Sequence, residues 1–284
     1  MKVLLTGSKG QLGRTLLARQ PDELELVGVD IDDVDIADEQ QVSELVARVQ
    51  PEVIVNAAAY TAVDLAESEE SKARRVNVDG VRNLASSGVR VIHISTDFVF
   101  DGAANAPYSP DVTPRPLSVY GKTKLDGEIA LRERLPDRHV VLRTAWLYSQ
   151  FGGNFVHTML KLMRERDEIA VVSDQVGSPT WARSVADIIF AFVAKQEVYG
   201  TYHWTDSGQT SWYEFACAIQ EEAIGLGQID SRTKIRPIPS DEYPVAARRP
   251  AFSVLDCSAT SDILGLTATP WRQNLKAMLE ATAT

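Results

Sequence analysis

The chain has 284 residues, with an apolar content of 44% and a charged content of 24%, as is typical of a folded soluble protein. A formal net charge of −10 argues against nucleic acid or an anionic membrane surface as a partner. The two cysteines and four histidines lack metal-ligand spacing, and no apolar run is long enough for a signal peptide or a membrane span. We therefore expect a cytoplasmic protein without a catalytic metal.

The first half of the chain alternates short apolar runs with helical patterns. Strands are predicted at 3–5, 24–29, 53–55, 89–94 and 140–142, and helices at 12–18, 38–49, 79–86 and from about Tyr120 onward. Nearly continuous apolar strands separated by helices indicate a parallel sheet that is buried on both faces. The predicted fold class is α/β, a doubly wound, Rossmann-like parallel sheet.

The second half of the chain has a looser pattern. Helices are predicted at 153–165, 184–195, 212–224 and 271–281, with a proline-rich stretch at 237–250 between the last two. This half is interpreted mainly as a smaller C-terminal lobe that closes over the sheet.

A glycine-rich loop follows the first strand and opens the first helix. Gly7, Gly10 and Gly13 form a GxxGxxG variant of the dinucleotide-binding pattern. Backbone without a Cβ can turn sharply and approach a pyrophosphate, and the helix N-terminus offers free N–H groups to it. The alternative is a tight loop with a helix cap. We predict a dinucleotide-binding domain at 1–145, segments of 181–250 that return to it, and a mainly substrate-binding lobe at 146–284.

An acidic residue lies about twenty residues after this loop, at the end of the second strand. Asp30 can accept hydrogen bonds from ribose hydroxyls, which favours NAD over NADP. Lys9 could instead attract a 2′-phosphate, which Asp32 and Asp33 would repel. The cofactor is thus NADH or NADPH, and charge alone favours NADH. Further candidate contacts, to the adenine, are Asp35 and Ile36.

Tyr120 and Lys124 lie four residues apart, so they share one face of a helix. A phenol can donate the proton that carbonyl reduction requires, and a nearby ammonium should lower its pKa from the ordinary value of ~10. The same ammonium can hold the nicotinamide ribose. Thr96, at the end of the fourth strand, can hydrogen-bond the substrate carbonyl. The alternatives are an exposed surface pair and a strand-end cap.

Several segments resemble the dTDP-4-dehydrorhamnose reductase family of the extended short-chain dehydrogenases, and the resemblance runs nearly from end to end. The segments are 6–13 (TGSKGQLG), 56–64 (NAAAYTAVD), 77–80 (NVDG), 95–102 (STDFVFDG), 143–148 (RTAWLY), 174–180 (DQVGSPT) and 249–250 (RP). Phe98 stands where tyrosine is usual, so any polar contact of that hydroxyl is lost.

The motifs and the resemblance together imply a set of site residues. The catalytic residues are Thr96, Tyr120 and Lys124, with Asn77 as an accessory. The cofactor contacts are Gly7, Gly10, Gln11, Leu12, Gly13, Asp30, Asp35, Ile36, Ala57, Ala58, Tyr60, Asn77, Tyr120 and Lys124. The substrate contacts are Val63, Thr96, Asp97, Phe98, Tyr120, Trp146, Gln175 and Arg249.

Some relatives bind a metal through acidic residues at a dimer interface. The sequence has no matching acids, so we predict no metal and leave homodimer formation open.

The activity implied by the resemblance is hydride transfer from NAD(P)H to the C4 keto group of dTDP-4-dehydro-L-rhamnose, which gives dTDP-L-rhamnose. One alternative is a non-catalytic, dinucleotide-binding regulatory subunit similar to that of methionine adenosyltransferase. Another is a nucleotide-sugar epimerase or dehydratase, which keeps its cofactor throughout the cycle. Intact Thr96, Tyr120 and Lys124 favour an enzyme over the regulatory subunit.

Overall fold

The structure, a computed structural model, describes residues 1–230 and 232–282. The strands are β1 (Lys2–Thr6), β2 (Glu25–Val29), β3 (Val53–Asn56), β4 (Arg90–Thr96), β5 (His139–Thr144), β6 (Leu147–Tyr148), β7 (Glu168–Val172), β8 (Val176–Gly177), β9 (Thr180–Trp181), β10 (Gly200–His203), β11 (Thr210–Ser211) and β12 (Lys234–Ile238). The helices are α1 (Gln11–Ala18), α2 (Glu39–Val49), α3 (Val63–Ala66), α4 (Glu70–Arg74), α5 (Val81–Ser86), α6 (Val119–Arg134), α7 (Phe155–Glu165), α8 (Ala182–Ala194), α9 (Trp212–Gly225), α10 (Ser258–Leu264) and α11 (Trp271–Thr282). Shorter helical segments are a π-helix at Arg75–Gly80 and 3-10 turns at Asp97–Val99 and Ser240–Glu242.

The central sheet explains where the candidate site lies. Among the described residues, six strands form it in the order β2-β1-β3-β4-β5-β10, and all neighbouring pairs are parallel. The chain crosses to one side of β1 to form β2 and to the other side to form β3. Ligands of open α/β sheets bind at the carboxyl ends of the strands at such a reversal. The predicted doubly wound fold is confirmed.

Helices cover both faces of this sheet because consecutive strand residues point to opposite sides. Leu5 belongs to an apolar cluster with α1 and α8, whereas the adjacent Leu4 belongs to a cluster with α2 and α5. Both side chains are fully buried. This two-sided burial accounts for the continuous apolar runs of the strands in the sequence.

A separate apolar cluster joins α7, α9 and α11, with Met159, Phe215 and Leu275 among its members. Next to it, β12 pairs in parallel with β7, and Pro237 lies within β12 although prolines are rare in strands. From the later part of the chain, α8 packs in the cluster of the central sheet and β10 forms its edge strand. The domain boundaries themselves stay predictions.

Two helical regions differ from the sequence-based expectations. The helix predicted at 79–86 is the end of a longer helical stretch that begins at Glu70 and includes the π-helical segment. Residues 67–72 are all polar, so no apolar periodicity marked its start. The short helix α10 also had no clear pattern. Within the described parts of the chain, no helix is both long and apolar enough to span a bilayer.

Candidate active site

The glycine loop makes a tight turn between β1 and α1. Gly7 has a φ of +73°, and a Cβ there would lie 2.6 Å from the Ala58 backbone nitrogen. A Cβ at Gly13 would lie only 2.1 Å from the Gly7 carbonyl oxygen, so both positions require glycine. Helix α1 begins at Gln11 without a side-chain cap. The loop borders a cavity of about 840 Å³ with Gly10, Gln11 and Leu12.

Asp30 directly follows β2 and binds the glycine loop. Its Oδ2 accepts the Lys9 backbone N–H at 2.7 Å, and its Oδ1 accepts the Ile31 N–H at 2.9 Å. The Lys9 ammonium lies 2.6 Å from Asp32, and this contact raises the pKa of Lys9. Asp30 borders the cavity, and it also holds the loop conformation, a role that the sequence did not indicate.

Two further predicted adenine contacts border the same cavity. Asp35 Oδ1 accepts the Ala37 N–H at 2.9 Å, while its Oδ2 pairs with Arg75. Ile36 is buried and packs in the cluster of α2 and α5. The Asp35 carboxylate is therefore held in place by contacts within the chain.

Residues 57–60 form the wall of the cavity next to β3. Ala57, Ala58 and Tyr60 border the cavity, but Asn77 lies behind this wall and is only 1% exposed. Asn77 Oδ1 accepts the Tyr60 N–H at 2.9 Å, and Asn77 Nδ2 donates to Tyr60 O and to Thr123 Oγ1. Asn77 therefore fixes the wall to α6, and it contacts the predicted cofactor residue Tyr60 without itself lining the cavity.

Tyr120 and Lys124 lie one turn apart on α6, as the spacing predicts. Ser118 caps this helix by accepting the Gly121 N–H at 3.1 Å. Both side chains are buried and border the cavity together with Thr96, which ends β4. The Tyr120 ring contacts Phe98 edge-on, with ring centroids 5.6 Å apart. The structure thus brings the three predicted catalytic residues together.

The protonation of Tyr120 differs from the sequence-based expectation. Burial raises the pKa of Tyr120 to about 12, a hydrogen bond with Thr96 opposes this, and the charge of Asp97 adds to it. Lys124 Nζ donates to the Ile94 carbonyl oxygen at 2.6 Å and lies 3.3 Å from His93 Nε2. The predicted lowering of the phenol pKa is therefore wrong for this structure, because burial of the phenol dominates.

The lysine is also affected by burial. Loss of hydration lowers the pKa of Lys124 to about 8, and the Glu128 carboxylate partly opposes that shift. Burial likewise raises the pKa of Asp97 to about 6, against hydrogen bonds from Ser253 and Thr96. Asp97 Oδ2 is buried without a hydrogen-bond partner among the described residues. Three buried ionisable groups with shifted pKa values, Asp97, Tyr120 and Lys124, thus border one cavity.

A second cavity of about 1000 Å³ adjoins the first, since Phe98, Trp146 and Trp212 line both. Trp146 stacks on Trp212 with ring centroids 3.5 Å apart and an interplanar angle of 7°. Its φ of +47° is left-handed, which costs a non-glycine residue about 1–2 kcal/mol. Trp212 was not predicted as a site residue, because its position follows from the packing of α9.

The remaining predicted substrate residues are divided between the cavities. Gln175 and Arg249 line the second cavity, whereas Val63 lines the first. Gln175 Nε2 donates to Ser240 Oγ at 2.9 Å, and Arg249 Nη2 donates to Asp64 Oδ2 at 2.8 Å.

In the described parts of the chain, no group of three or more His, Cys, Asp or Glu side chains could hold a metal ion. The expected lack of a metal stays a prediction.

The comparisons with known proteins agree with this arrangement. The family model for the RmlD substrate binding domain matches residues 1–284. A dTDP-4-dehydrorhamnose reductase from Aggregatibacter actinomycetemcomitans is 39% identical and covers 97% of each chain. The solved dTDP-4-dehydrorhamnose reductase of Clostridium acetobutylicum is 37% identical, with a TM-score of 0.93 over 100% of both chains. That of Bacillus anthracis, solved in complex with NADP, is 34% identical, with a TM-score of 0.92 over 99% of both. The resemblance seen in the sequence is thereby confirmed, and the chain belongs to the RmlD substrate binding domain family of dTDP-4-dehydrorhamnose reductases.

Proposed function

We propose that the chain is an NAD(P)H-dependent reductase that converts the C4 keto group of dTDP-4-dehydro-L-rhamnose into the hydroxyl group of dTDP-L-rhamnose. The main support is the position of Thr96, Tyr120 and Lys124 on the wall of the first cavity. The glycine loop borders the same cavity, and a second cavity large enough for a nucleotide sugar adjoins it. The names of the relatives point to the same reaction.

The residues around the first cavity fit a dinucleotide. Only glycine fits at Gly7 and Gly13, which leaves the loop backbone and the start of α1 open to a pyrophosphate. Asp30 and Asp35 offer acceptors to the adenosine end, and the Lys124 ammonium offers a donor to the nicotinamide ribose. When bound, the reduced nicotinamide supplies a hydride to the carbonyl carbon.

Tyr120 donates the proton that the C4 oxygen gains when the carbon receives its hydride. A pKa of about 12 keeps the phenol protonated at neutral pH, so the acid is present before the reaction. The Thr96 hydroxyl donates its one hydrogen to Asp97 Oδ1 at 3.0 Å in this structure. With substrate bound, the hydroxyl would turn to donate to the C4 oxygen, where negative charge develops in the transition state. The products balance, because one hydride and one proton convert the ketone into an alcohol.

The second cavity supplies the groups for the rest of the substrate. Trp146 and Phe98 line both cavities and would contact the sugar ring. Arg249 suits the diphosphate, because a guanidinium forms paired hydrogen bonds to oxyanions. Its Nη1 is buried without a partner among the described residues, while Nη2 binds Asp64. Gln175 also lines the second cavity, where it provides a side-chain amide.

The test is the oxidation of NADH and NADPH, each measured with and without dTDP-4-dehydro-L-rhamnose. Tyr120→Phe should lower turnover by ~10²- to 10⁴-fold, the usual effect of removing a positioned acid. Folding and cofactor binding should persist, since the ring keeps its contact with Phe98. The matched control is Tyr199→Phe, because Tyr199 is 53% exposed and lies outside both cavities. Lys124→Met should lower turnover and also weaken cofactor binding.

Other outcomes would favour the alternative functions. Full turnover in Tyr120→Phe would contradict the role of the phenol as the proton donor. Tight dinucleotide binding without turnover on any nucleotide sugar would indicate a regulatory subunit. NAD that copurifies and does not exchange would indicate an epimerase or dehydratase. The preferred cofactor, homodimer formation and the cytoplasmic location stay predictions, which cofactor titration, size-exclusion chromatography and cell fractionation can test.

A further inference from the structure

A line of buried polar side chains runs beneath the candidate active site, from β1 through β3 and β4 to α6. Thr6 Oγ1 donates to Asn56 Oδ1 at 2.7 Å, and Asn56 Nδ2 lies 3.0 Å from His93 Nδ1. His93 Nε2 lies 3.3 Å from Lys124 Nζ. Each of the four residues is at most 2% exposed. His93 and Asn56 are thus the buried neighbours of the proposed catalytic lysine.

The orientation of the Asn56 amide follows from its neighbours. A backbone nitrogen can only donate a hydrogen bond, and the Ala58 N–H points to Asn56 Oδ1 at 3.2 Å. The oxygen is therefore on the side of Ala58 and Thr6, and the amide nitrogen faces His93. Since an amide nitrogen is only a donor, His93 Nδ1 has to accept.

This contact determines the tautomer of His93. Burial and the charge of Lys124 hold the pKa of His93 well below its usual range, so the ring is neutral. A neutral imidazole carries one proton, and Nδ1 is already an acceptor. The proton is therefore on Nε2, the nitrogen that faces Lys124.

An imidazole N–H that points at an ammonium brings two donors together, whereas a neutral amine can accept from it. We propose that His93 is a positioning residue whose Nε2–H tautomer, imposed by Asn56, lowers the proton affinity of Lys124. The Ile94 carbonyl oxygen accepts from Nζ in either protonation state, so it does not cancel this preference.

Two other ionisable groups, Glu128 and Tyr120, lie near Lys124 on the same helix. Glu128, on the same helix, favours the ammonium, but both oxygens of its carboxylate accept hydrogen bonds from Arg143 of β5. Tyr120, one turn away, is neutral at physiological pH because burial raises its pKa to about 12. Burial by itself already lowers the pKa of Lys124, and the Nε2–H tautomer of His93 would act in the same direction.

The proposal deepens the proposed function, since it relies on that function only for the importance of Lys124. A lysine that exchanges its proton at moderately alkaline pH can return a proton to the phenol more readily than one with an ordinary pKa. His93 would thus act on turnover through Lys124, without contact with the substrate.

The first test measures the wild-type protein, and a substitution is needed only to assign its signals. The full chain is labelled with ¹⁵N-histidine, and two-bond ¹H–¹⁵N spectra are recorded from neutral to mildly alkaline pH. His93→Phe assigns the His93 signals by their loss. We expect a neutral ring with its proton on Nε2 throughout. A ring protonated on Nδ1, or an imidazolium, would overturn the proposal.

The second test reverses the tautomer. In Asn56→Asp, a carboxylate oxygen faces His93 Nδ1 and can only accept a hydrogen bond. The neutral ring therefore carries its proton on Nδ1, which donates to the carboxylate, and Nε2 becomes an acceptor for the Lys124 ammonium. NMR titration of ¹³Cε-lysine, assigned with Lys124→Met, should show the proton affinity of Lys124 rising by about tenfold or more, a pKa rise of about one unit.

The control for the added charge is Asn56→Asp in a His93→Phe background, where no ring nitrogen can transmit the change. A clearly smaller rise there supports the proposal, and an equal rise in both backgrounds refutes it. Should the variants fail to fold, the tautomer of the wild-type protein still decides. Neither measurement depends on turnover, so failure of this proposal and failure of the proposed reductase activity remain distinguishable.

Discussion

Replacing Arg143 with methionine would leave the carboxylate of Glu128 buried without its ionic partner. The two side chains are 1% and 0% exposed, and they join β5 to α6, the helix that carries Tyr120 and Lys124. Arg143 donates from Nε to Oε1 at 2.9 Å and from Nη2 to Oε2 at 2.7 Å. Ser95 Oγ also donates to Oε1 at 2.5 Å and would be the remaining hydrogen-bond donor.

The expected cost follows from these contacts. Two hydrogen bonds between charged groups are lost, each with a net value of ~1.5–3 kcal/mol. Removal of one partner from a buried ion pair typically costs ~3–5 kcal/mol, which agrees with that sum. Arg143→Met should therefore lower the free energy of unfolding by ~3–5 kcal/mol, measured by urea denaturation monitored with tryptophan fluorescence.

The control is the double variant Arg143→Met/Glu128→Leu, in which neither charge is buried. It should be more stable than Arg143→Met, and a double-mutant cycle should give a coupling of ~3 kcal/mol or more. A loss below ~1 kcal/mol in Arg143→Met would refute the reasoning. So would a double variant whose destabilisation equals the sum of the two single variants.

Three further predictions concern the ligands. Asp30→Ala should raise the KM for NADH roughly tenfold or more, the scale of a lost charged hydrogen bond, and should affect NADPH less. Equal changes in steady-state kinetics would show that Asp30 acts only by holding the Lys9 amide. Trp146→Ala should raise the KM for the nucleotide sugar by roughly tenfold, as is usual for losing a buried aromatic contact, while calorimetry shows nearly unchanged dinucleotide affinity. A variant that fails to fold would mean that the stack on Trp212 is mainly structural. Dinucleotide affinity should be highest below pH 8 and fall as pH rises through about 8, because Lys124 loses its charge there. Lys124→Met should abolish this dependence in a fluorescence titration, and an unchanged pH profile in that variant would contradict the role of the ammonium.

The local sequence determined the parts of the site that depend on spacing along the chain. The three glycines of the loop and the four-residue interval between Tyr120 and Lys124 are set by backbone geometry, which neighbouring residues dictate. The apolar strands likewise revealed a sheet buried on both faces, because burial leaves its pattern in every strand. These features gave the fold class and the candidate catalytic residues.

Tertiary structure decided what depends on residues far apart in the sequence. Asn77 lies behind the cavity wall because its amide binds Tyr60 and Thr123. The pKa of Tyr120 rises instead of falling because packing removes water from the phenol. The interval between Tyr120 and Lys124 along the chain gives no information about this loss of water. His93 adjoins Lys124 only because β4 lies beneath α6, and a lone histidine in an apolar strand carries no sign of that contact. Desolvation and long-range contacts arise only when the chain folds, so they cannot be predicted from the local pattern of residues.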